Sequence, residues 1–514
     1  MKAFRTRAAI LMGASWLALT GVAAAQGAAP AAAAEDPRDA LIRDLAARIE
    51  ALEAQIGDLA ERSAASTDDV RRIVNEAPQV TINNARPQIA SADGSFRTAF
   101  RGLFQLDAAS YLQDDPSGPD NRRAGATTAE GPAARDLSSG LNFRRARIGL
   151  EGTAFRDWNY AITYEAGGSG TEASSLQQAW IEYAGWRPFG LENPLRARVG
   201  AYAWPVGLED ATSNSDSVFP ERAAAAELVR GLAGGDGRTG AGLFANGARW
   251  NASLSLTGAL VGNTGEFDEQ TAAIGRIAFL PLRGENYGVH VGANVHNIFQ
   301  LPDTTAPGAG SSAVIRLRER PELRVDGTRL VDTGNLSADS VLAYGLELGT
   351  QYRGFLATGE WLHIDVDRPG ALADPDFSGW YVQTSYVLTG EQRRWSAASG
   401  GFAGVRPTNP LNPSEGHWGA FEIAARYSAL DLNFNEGLEG FAPSAGGVRG
   451  GEQEITSLGL NWYPNAAIRF LLDYQFVSID RLNPAALIFT TTPVNGAQIG
   501  QDYQVLSLRS QLSF

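Results

Sequence analysis

Cysteine is absent from the 514 residues, which removes disulfide scaffolds, thiolate metal sites and cysteine nucleophiles in one step. Lysine is almost absent too. Lys2 is the single example, so Schiff-base chemistry and the glycine-rich phosphate loop ending in Lys-Ser/Thr have no residue to use. Beyond the first two dozen residues, no stretch approaches the ~20 consecutive apolar residues of a membrane-spanning helix. A chain of this kind crosses a membrane with strands or not at all. Basic charge is also short: 43 Lys+Arg against 57 Asp+Glu leave −14, and a nucleic-acid partner is excluded for want of a basic footprint.

What is present divides into segments with different rules. Residues 1–25 read as a signal peptide: Lys2, Arg5 and Arg7 precede an apolar run from Ala8 to Val22, and Ala23-Ala24-Ala25 offers a cleavage site before Gln26. Cleavage there leaves a mature chain with no lysine. Residues 26–75 are expected to form a periplasmic coiled-coil segment, because Ile42, Leu45, Ile49, Leu52, Ile56 and Leu59 alternate three and four apart, with Ile at a and Leu at d. Val70 and Ile73 resume that frame after Ser63 and Ser66. So narrow a seam stabilises a helix only against a partner, either other copies of the chain or the rest of the same chain, and the heptads do not fix the oligomer number. Residues 76–94, with Pro78, Pro87 and Gly94, read as a linker.

From residue 95 to 514 the period is 2. Trp250, Ala252, Leu254, Leu256 and Leu260 fall on one face and Asn251, Ser253, Ser255 and Thr257 on the other; Ile468, Phe470, Leu472, Tyr474 and Phe476 oppose Arg469, Asp473 and Gln475. Segment length suits a tilted membrane crossing of ~9–11 residues better than a soluble strand. Aromatic residues near segment ends, among them Trp158, Trp204, Trp250, Trp361 and Trp462, suit interfacial girdles. Short turns such as Arg156-Asp157, Asn246-Gly247 and Arg353-Gly354 alternate with long connections at 112–141, 205–238, 301–340, 430–454 and 481–501. A fragment at 313–319 is assigned to the interior of 301–340. The expected fold is therefore all-β: a transmembrane antiparallel β-barrel of about 16 strands, from 96–111 to 502–514, preceded by a short N-terminal α-helical coiled coil. Its outward faces would meet outer-membrane lipid, with the N-terminal segment in the periplasm. The last strand, with Leu506, Leu508 and Leu512 on one face and Phe514 at its end, resembles the assembly signal of bacterial outer-membrane barrels.

An ordered set of motifs resembles the phosphate-selective porin O and P family. They are Phe143-Arg144-Arg145-Ala146-Arg147-Ile148-Gly149-Leu150, Ala179-Trp180-Ile181-Glu182-Tyr183, Val199-Gly200 followed by Pro205-Val206-Gly207-Leu208-Glu209, then Ser213, Phe219-Pro220-Glu221-Arg222, and late in the chain Gly459-Leu460-Asn461-Trp462-Tyr463-Pro464-Asn465. The resemblance implies a 16-stranded homotrimeric channel whose third outer loop, here 205–238 with Glu221 and Arg222, folds inward to narrow the pore. It also implies that Arg144 and Arg145 are the family's paired arginines near the constriction. The coiled coil lies outside it.

Selectivity is a question of what lines the constriction, and arginine suits oxyanions because its planar fork donates to two oxygens at once. Strand parity turns Arg97, Arg101, Arg145, Arg147, Arg196, Arg198, Arg469 and Arg509 inward, together with Asp107, Glu151, Glu165, Glu182 and Asp473. The family's anion centre uses lysines, which this mature chain lacks. The expectation is thus passive diffusion of small hydrophilic solutes, with at most a local preference for anions such as phosphate. The alternative is a non-selective general porin whose coiled coil doubles as a periplasmic tether. Catalysis is not expected: His290, His296, His363 and His417 form no His-Glu-x-x-His pattern, no Gly-x-Ser-x-Gly elbow occurs, and no cofactor is implied.

Overall fold

Two-residue alternation becomes sixteen antiparallel strands because apolar side chains on one face can meet lipid while polar ones on the other meet the lumen. The computed structural model describes residues 37–83, 85–113, 136–168, 175–263, 268–303, 313–484 and 496–514; residues 1–25, read as a signal peptide, lie outside them. The chain divides into two units, 1–75 and 76–514.

In the first unit, helix α1 (Pro37–Glu76) runs for 40 residues. Ile42, Leu45, Ile49, Leu52, Ile56 and Leu59 are 48–65% exposed, so the heptad seam lies open along the helix.

In the second unit the barrel strands are β1 (Arg97–Gln113), β2 (Gly140–Ala154), β3 (Trp158–Glu165), β4 (Ser175–Trp186), β5 (Leu195–Tyr202), β6 (Arg238–Asn246), β7 (Trp250–Leu260) and β8 (Thr271–Arg283). They continue as β9 (Tyr287–Gln300), β10 (Ser340–Tyr352), β11 (Phe355–Asp367), β12 (Asp376–Val387), β13 (Ala420–Phe434), β14 (Val448–Tyr463), β15 (Ile468–Asp480) and β16 (Gln501–Ser513). Each pairs with its neighbour in sequence, and β16 returns to β1 from Tyr503 opposite Gln113 to Ser513 opposite Leu103. Closure leaves no long edge unpaired in hydrocarbon. Along β10, Leu342, Leu346 and Leu348 are exposed outward while Val341, Ala343 and Glu347 are buried inward. A ring of aromatics marks the short-turn end, with Trp158 against Tyr183 at 5.1 Å and Trp462 stacked between Phe421 and Phe470.

Four expectations need correction. The segment read as a linker contains a hairpin, Gln79–Asn83 and Arg86–Ala90, whose second arm pairs with β1. Trp204 is no girdle residue: it is fully buried in the lumen, stacked on Phe244 and donating from Nε1 to the Arg238 carbonyl at 2.9 Å, so its indole satisfies backbone instead of facing headgroups. The strands β13 and β14 extend well into the expected 430–454 connection, past an irregularity between Asp431 and Asn433. The alternation of short and long connections also fails once. Between β12 and β13, at the short-turn end, residues 388–419 form a long connection, and Arg393, Phe402 and Val405 within it are buried.

Candidate pore constriction

Among the described residues, three connections turn into the barrel. The first, 203–237, carries α2 (Leu208–Ala211) and α3 (Ala224–Ala233). Its alanine-rich sequence favours a helix and leaves it slim enough to lie against the wall. Ala225 Cβ approaches Gly379 so closely that a β-carbon there would meet it at 2.6 Å. The loop crosses the lumen. On one side Gln105 Nε2 donates to the Asn214 carbonyl (3.2 Å), Gln511 Nε2 to the Ser215 carbonyl (3.0 Å) and Asn461 Nδ2 to the Val218 carbonyl (3.0 Å). On the other, Glu360 accepts from the Leu208 and Glu209 backbone N–H groups at 2.8 and 2.9 Å.

The second inward segment is part of 313–339, with two short paired stretches, Val314–Ile315 with Leu336–Ser337 and Arg318–Glu319 with Val331–Asp332. Arg324 reaches Glu227 at 2.6 Å. The third is 388–419. Arg393 grips both Glu422 oxygens (2.6 and 2.8 Å), Trp395 Nε1 donates to His290 Nδ1 at 3.0 Å, and Arg406 meets Asp216 at 3.2 Å. The long-loop and short-turn ends therefore both send chain to the same level.

The expected arginines separate into two groups. Arg144 and Arg145 are both buried and meet Glu221, Arg144 at 2.9 Å and Arg145 at 3.4 Å, while Arg145 also donates to Gln105 at 2.6 Å. Neighbours on a regular strand would point opposite ways. Here the register shifts between Gln105 and Leu106 and skips Arg144, so a bulge turns both side chains to the lumen. Arg509 joins Glu221 at 2.5 Å and holds Asp107 through two bonds of 2.6 Å. Burial alone would raise the Glu221 carboxyl, yet Arg144, Arg145, Arg509 and Arg324 hold it well below the usual carboxylate range. This cluster fastens the inward loop to the wall. Arg469 likewise donates to the Val218 carbonyl at 3.2 Å.

Arg101, Arg147, Arg196, Arg198 and Arg222 instead line an open cavity of about 550 Å³. Arg97 shares their parity but is exposed at the first position of β1 and is absent from the lining. Arg86, Arg230 and Arg406, which sequence reasoning missed, complete eight arginines facing the cavity against two acids, Asp210 and Asp236. Five more carboxylates stand within ion-pair reach of these arginines: Glu151, Glu165, Glu182, Asp216 and Glu227. Arg196 and Arg198 share Glu182, at 3.9 and 2.7 Å. Arg198 also lies over the Trp180, Tyr202 and Phe244 rings at 3.9–4.8 Å, and its Nη1 has no hydrogen-bond partner, nor has Nε of Arg222. Arg222 reaches Asp210 (3.2 Å) and Glu227 (3.1 Å), and Arg147 bridges Glu165 (2.5 Å) to Asp236 (2.6 Å).

His290 and His296 share the lumenal face but serve packing: His290 Nε2 meets Glu347 at 3.1 Å and His296 Nε2 the Val206 carbonyl at 3.3 Å.

A family model described as phosphate-selective porin O and P matches residues 122–505. Porin O of Pseudomonas aeruginosa is 27% identical over 360 residues, covering 66% of this chain and 77% of that protein. An uncharacterized protein of Caulobacter vibrioides is 27% identical over 427 residues, covering 79% and 73%. Among solved structures, the anion-selective porin from Comamonas acidovorans aligns at 12% identity and TM-score 0.44, covering 82% of this chain and all of that one.

Proposed function

Since the chain belongs to the phosphate-selective porin O and P family, and so to the channel proteins of the outer membrane, we propose that it conducts small hydrophilic solutes passively, with a weak preference for anions, phosphate among them. The observation that carries the reading is the cavity whose lining holds eight arginines and two acids. Guanidinium groups replace part of an oxyanion's hydration shell as it passes, and their fork fits two oxygens of phosphate or carboxylate.

The preference is weak for a stated reason. Counting the five carboxylates behind the lining, seven acids answer eight arginines. Arginine exceeds acid by one at two places, where Glu182 is shared by Arg196 and Arg198 and where Glu151 is shared by Arg86 and Arg101, while Arg147, Arg222 and Arg230 face four acids, Glu165, Asp210, Asp236 and Glu227, which offsets one of them. Anions are favoured locally there while the constriction level stays near neutral. Tight phosphate capture would need more uncompensated cations than this.

Reversal potentials in planar bilayers under a salt gradient test the reading, with chloride, phosphate and potassium compared. Modest anion selectivity is expected, with phosphate reducing chloride current only at high concentration. Cation selectivity without any phosphate effect would overturn it. A second reading, the coiled coil as trimer clamp and periplasmic spacer, is supported by the open heptad seam on a helix ~60 Å long at ~1.5 Å per residue. Deleting residues 36–75 should lower the melting temperature of a homotrimer and leave single-channel conductance unchanged.

A further inference from the structure

Strand β1 is longer than the strand that closes the barrel against it. β16 pairs with Leu103 to Gln113, and below that the reciprocal backbone bonds of Gly102 and Phe514, 2.9 and 3.0 Å, end the seam. Residues Arg97 to Arg101 would then present an open edge. The N-terminal hairpin fills part of it, with Gln88, Ile89 and Ala90 opposite Ala99, Thr98 and Arg97. It continues the sheet where β16 stops, so pleat parity decides what it shows to each side. Val80, Ile82 and Ile89 are exposed on the outer parity. Arg86 and Gln88 fall on the other and join the cavity lining.

Nearby lining residues Ala466, Ser513 and Phe514 belong to a short turn and the C-terminus, so the cavity reaches the short-turn end at this point. Arg86 donates from Nε to the Phe100 carbonyl at 3.1 Å and forms an ion pair with Glu151, whose other oxygen takes Arg101 at 2.7 Å. Two guanidiniums on one carboxylate leave a net positive charge. The groups remain wet, with Arg101 45% and Glu151 31% exposed, so a solute leaving the cavity meets them still hydrated.

We propose that the hairpin is part of the channel, and that Arg86, Arg101 and Gln88 form a station for dissolved oxyanions at its short-turn mouth. This rests on the channel reading above, and the segment that joins the helical unit to the barrel thereby carries selectivity as well as connection.

The absence of cysteine supplies the test. Gln88→Cys introduces the sole thiol, which a sulfonatoethyl methanethiosulfonate reagent converts to a negative side chain and an aminoethyl one to a positive side chain. In phosphatidylcholine bilayers bathed in chloride or inorganic phosphate, the negative label should lower the anion-to-cation permeability ratio about fourfold, since one unit charge some 10 Å away in water acts with opposite sign on anion and cation. The positive label should raise it. Arg86→Gln should lower it in the same sense, and the same negative label on outward Val80→Cys should leave it alone. Complete modification by mass, with the ratio unmoved by either label while wild type conducts, overturns the station and leaves the channel standing. A wild type that forms no channel overturns the channel reading and the station with it.

Discussion

Glu221 and Glu182 each sit among arginines on the lumenal side, yet they do opposite things. Four guanidiniums surround Glu221, all nearly buried, and together they close the inward loop onto β1, β2 and β16. Glu182 is shared by Arg196 and Arg198, which line open cavity. An arginine cluster is thus a fastener where four guanidiniums and the loop enclose one carboxylate, and part of a lumenal wall where two guanidiniums border an open cavity. The difference lies in what stands opposite, which strand parity alone does not disclose.

The strongest way to break the contrast is Glu221→Gln. Removing one partner of a buried ion cluster typically costs ~3–5 kcal/mol, because the remaining charges stay buried and unanswered. The variant should lose its folded, fast-migrating band at a lower temperature in semi-native electrophoresis, and its single-channel conductance should rise as the loop detaches. An unchanged band and conductance would mean the cluster does not hold the loop.

Next in size is Gly379→Val. Any β-carbon at Gly379 meets Ala225 Cβ at 2.6 Å and the Ala429 carbonyl at 2.8 Å, so α3 or strand β13 has to move, at ~1–3 kcal/mol for an overpacked site. Gly275→Ala is the control, with its nearest neighbour, a Val295 methyl, at 3.4 Å. Thermal melting should separate the two variants clearly.

The wall and the lumen were not equally legible. Sixteen strands follow from the alternation because lipid and water impose opposite demands on the two faces of every segment, and Leu254 outward with Ser255 inward meets both. The inward segments obey no such rule. Residues 388–419 carry Arg393, Trp395 and Phe402 in no periodic order, and their partners are Glu422 on the strand that follows and His290 on β9, 105 residues from Trp395. The hairpin did leave a trace, the alternating Val80-Thr81-Ile82 run, which Pro78 and Pro87 overshadowed. Arg145 and Arg147 were placed inward by parity. That Arg144 joins them depends on a bulge, and a bulge shifts parity without changing composition.

A smaller effect concerns the loop's own acid. Burial pushes the Glu209 carboxyl from 4.5 up to about 7, and neighbouring Glu322 adds to that, while Arg426, the Ala223 N–H and Arg222 oppose it. With the folded value above the unfolded one, the neutral form fits the fold. Its contribution is complete below about 4.5 and declines as pH climbs through about 7. Melting temperature should therefore fall between pH 5 and pH 8, and Glu209→Gln should flatten that part of the profile. A variant with the same slope as wild type would assign the dependence to another group.

The smallest expected change is the most informative about permeation. Glu182→Gln removes the carboxylate that Arg196 and Arg198 share but leaves Arg198 seated on Trp180, Tyr202 and Phe244, so the wall keeps its shape while its charge rises by one. Anion-to-cation selectivity should rise about fourfold at low salt, by the same unit-charge argument, and the gain should shrink as added salt shortens the screening length to ~3 Å near 1 M. Melting temperature should fall, but less than for Glu221→Gln, since two arginines rather than four lose their carboxylate and the carboxamide still accepts from Arg198. If selectivity stays fixed while stability drops, Glu182 belongs with Glu221 among the fasteners, and the cavity arginines are wall structure that solutes do not sense.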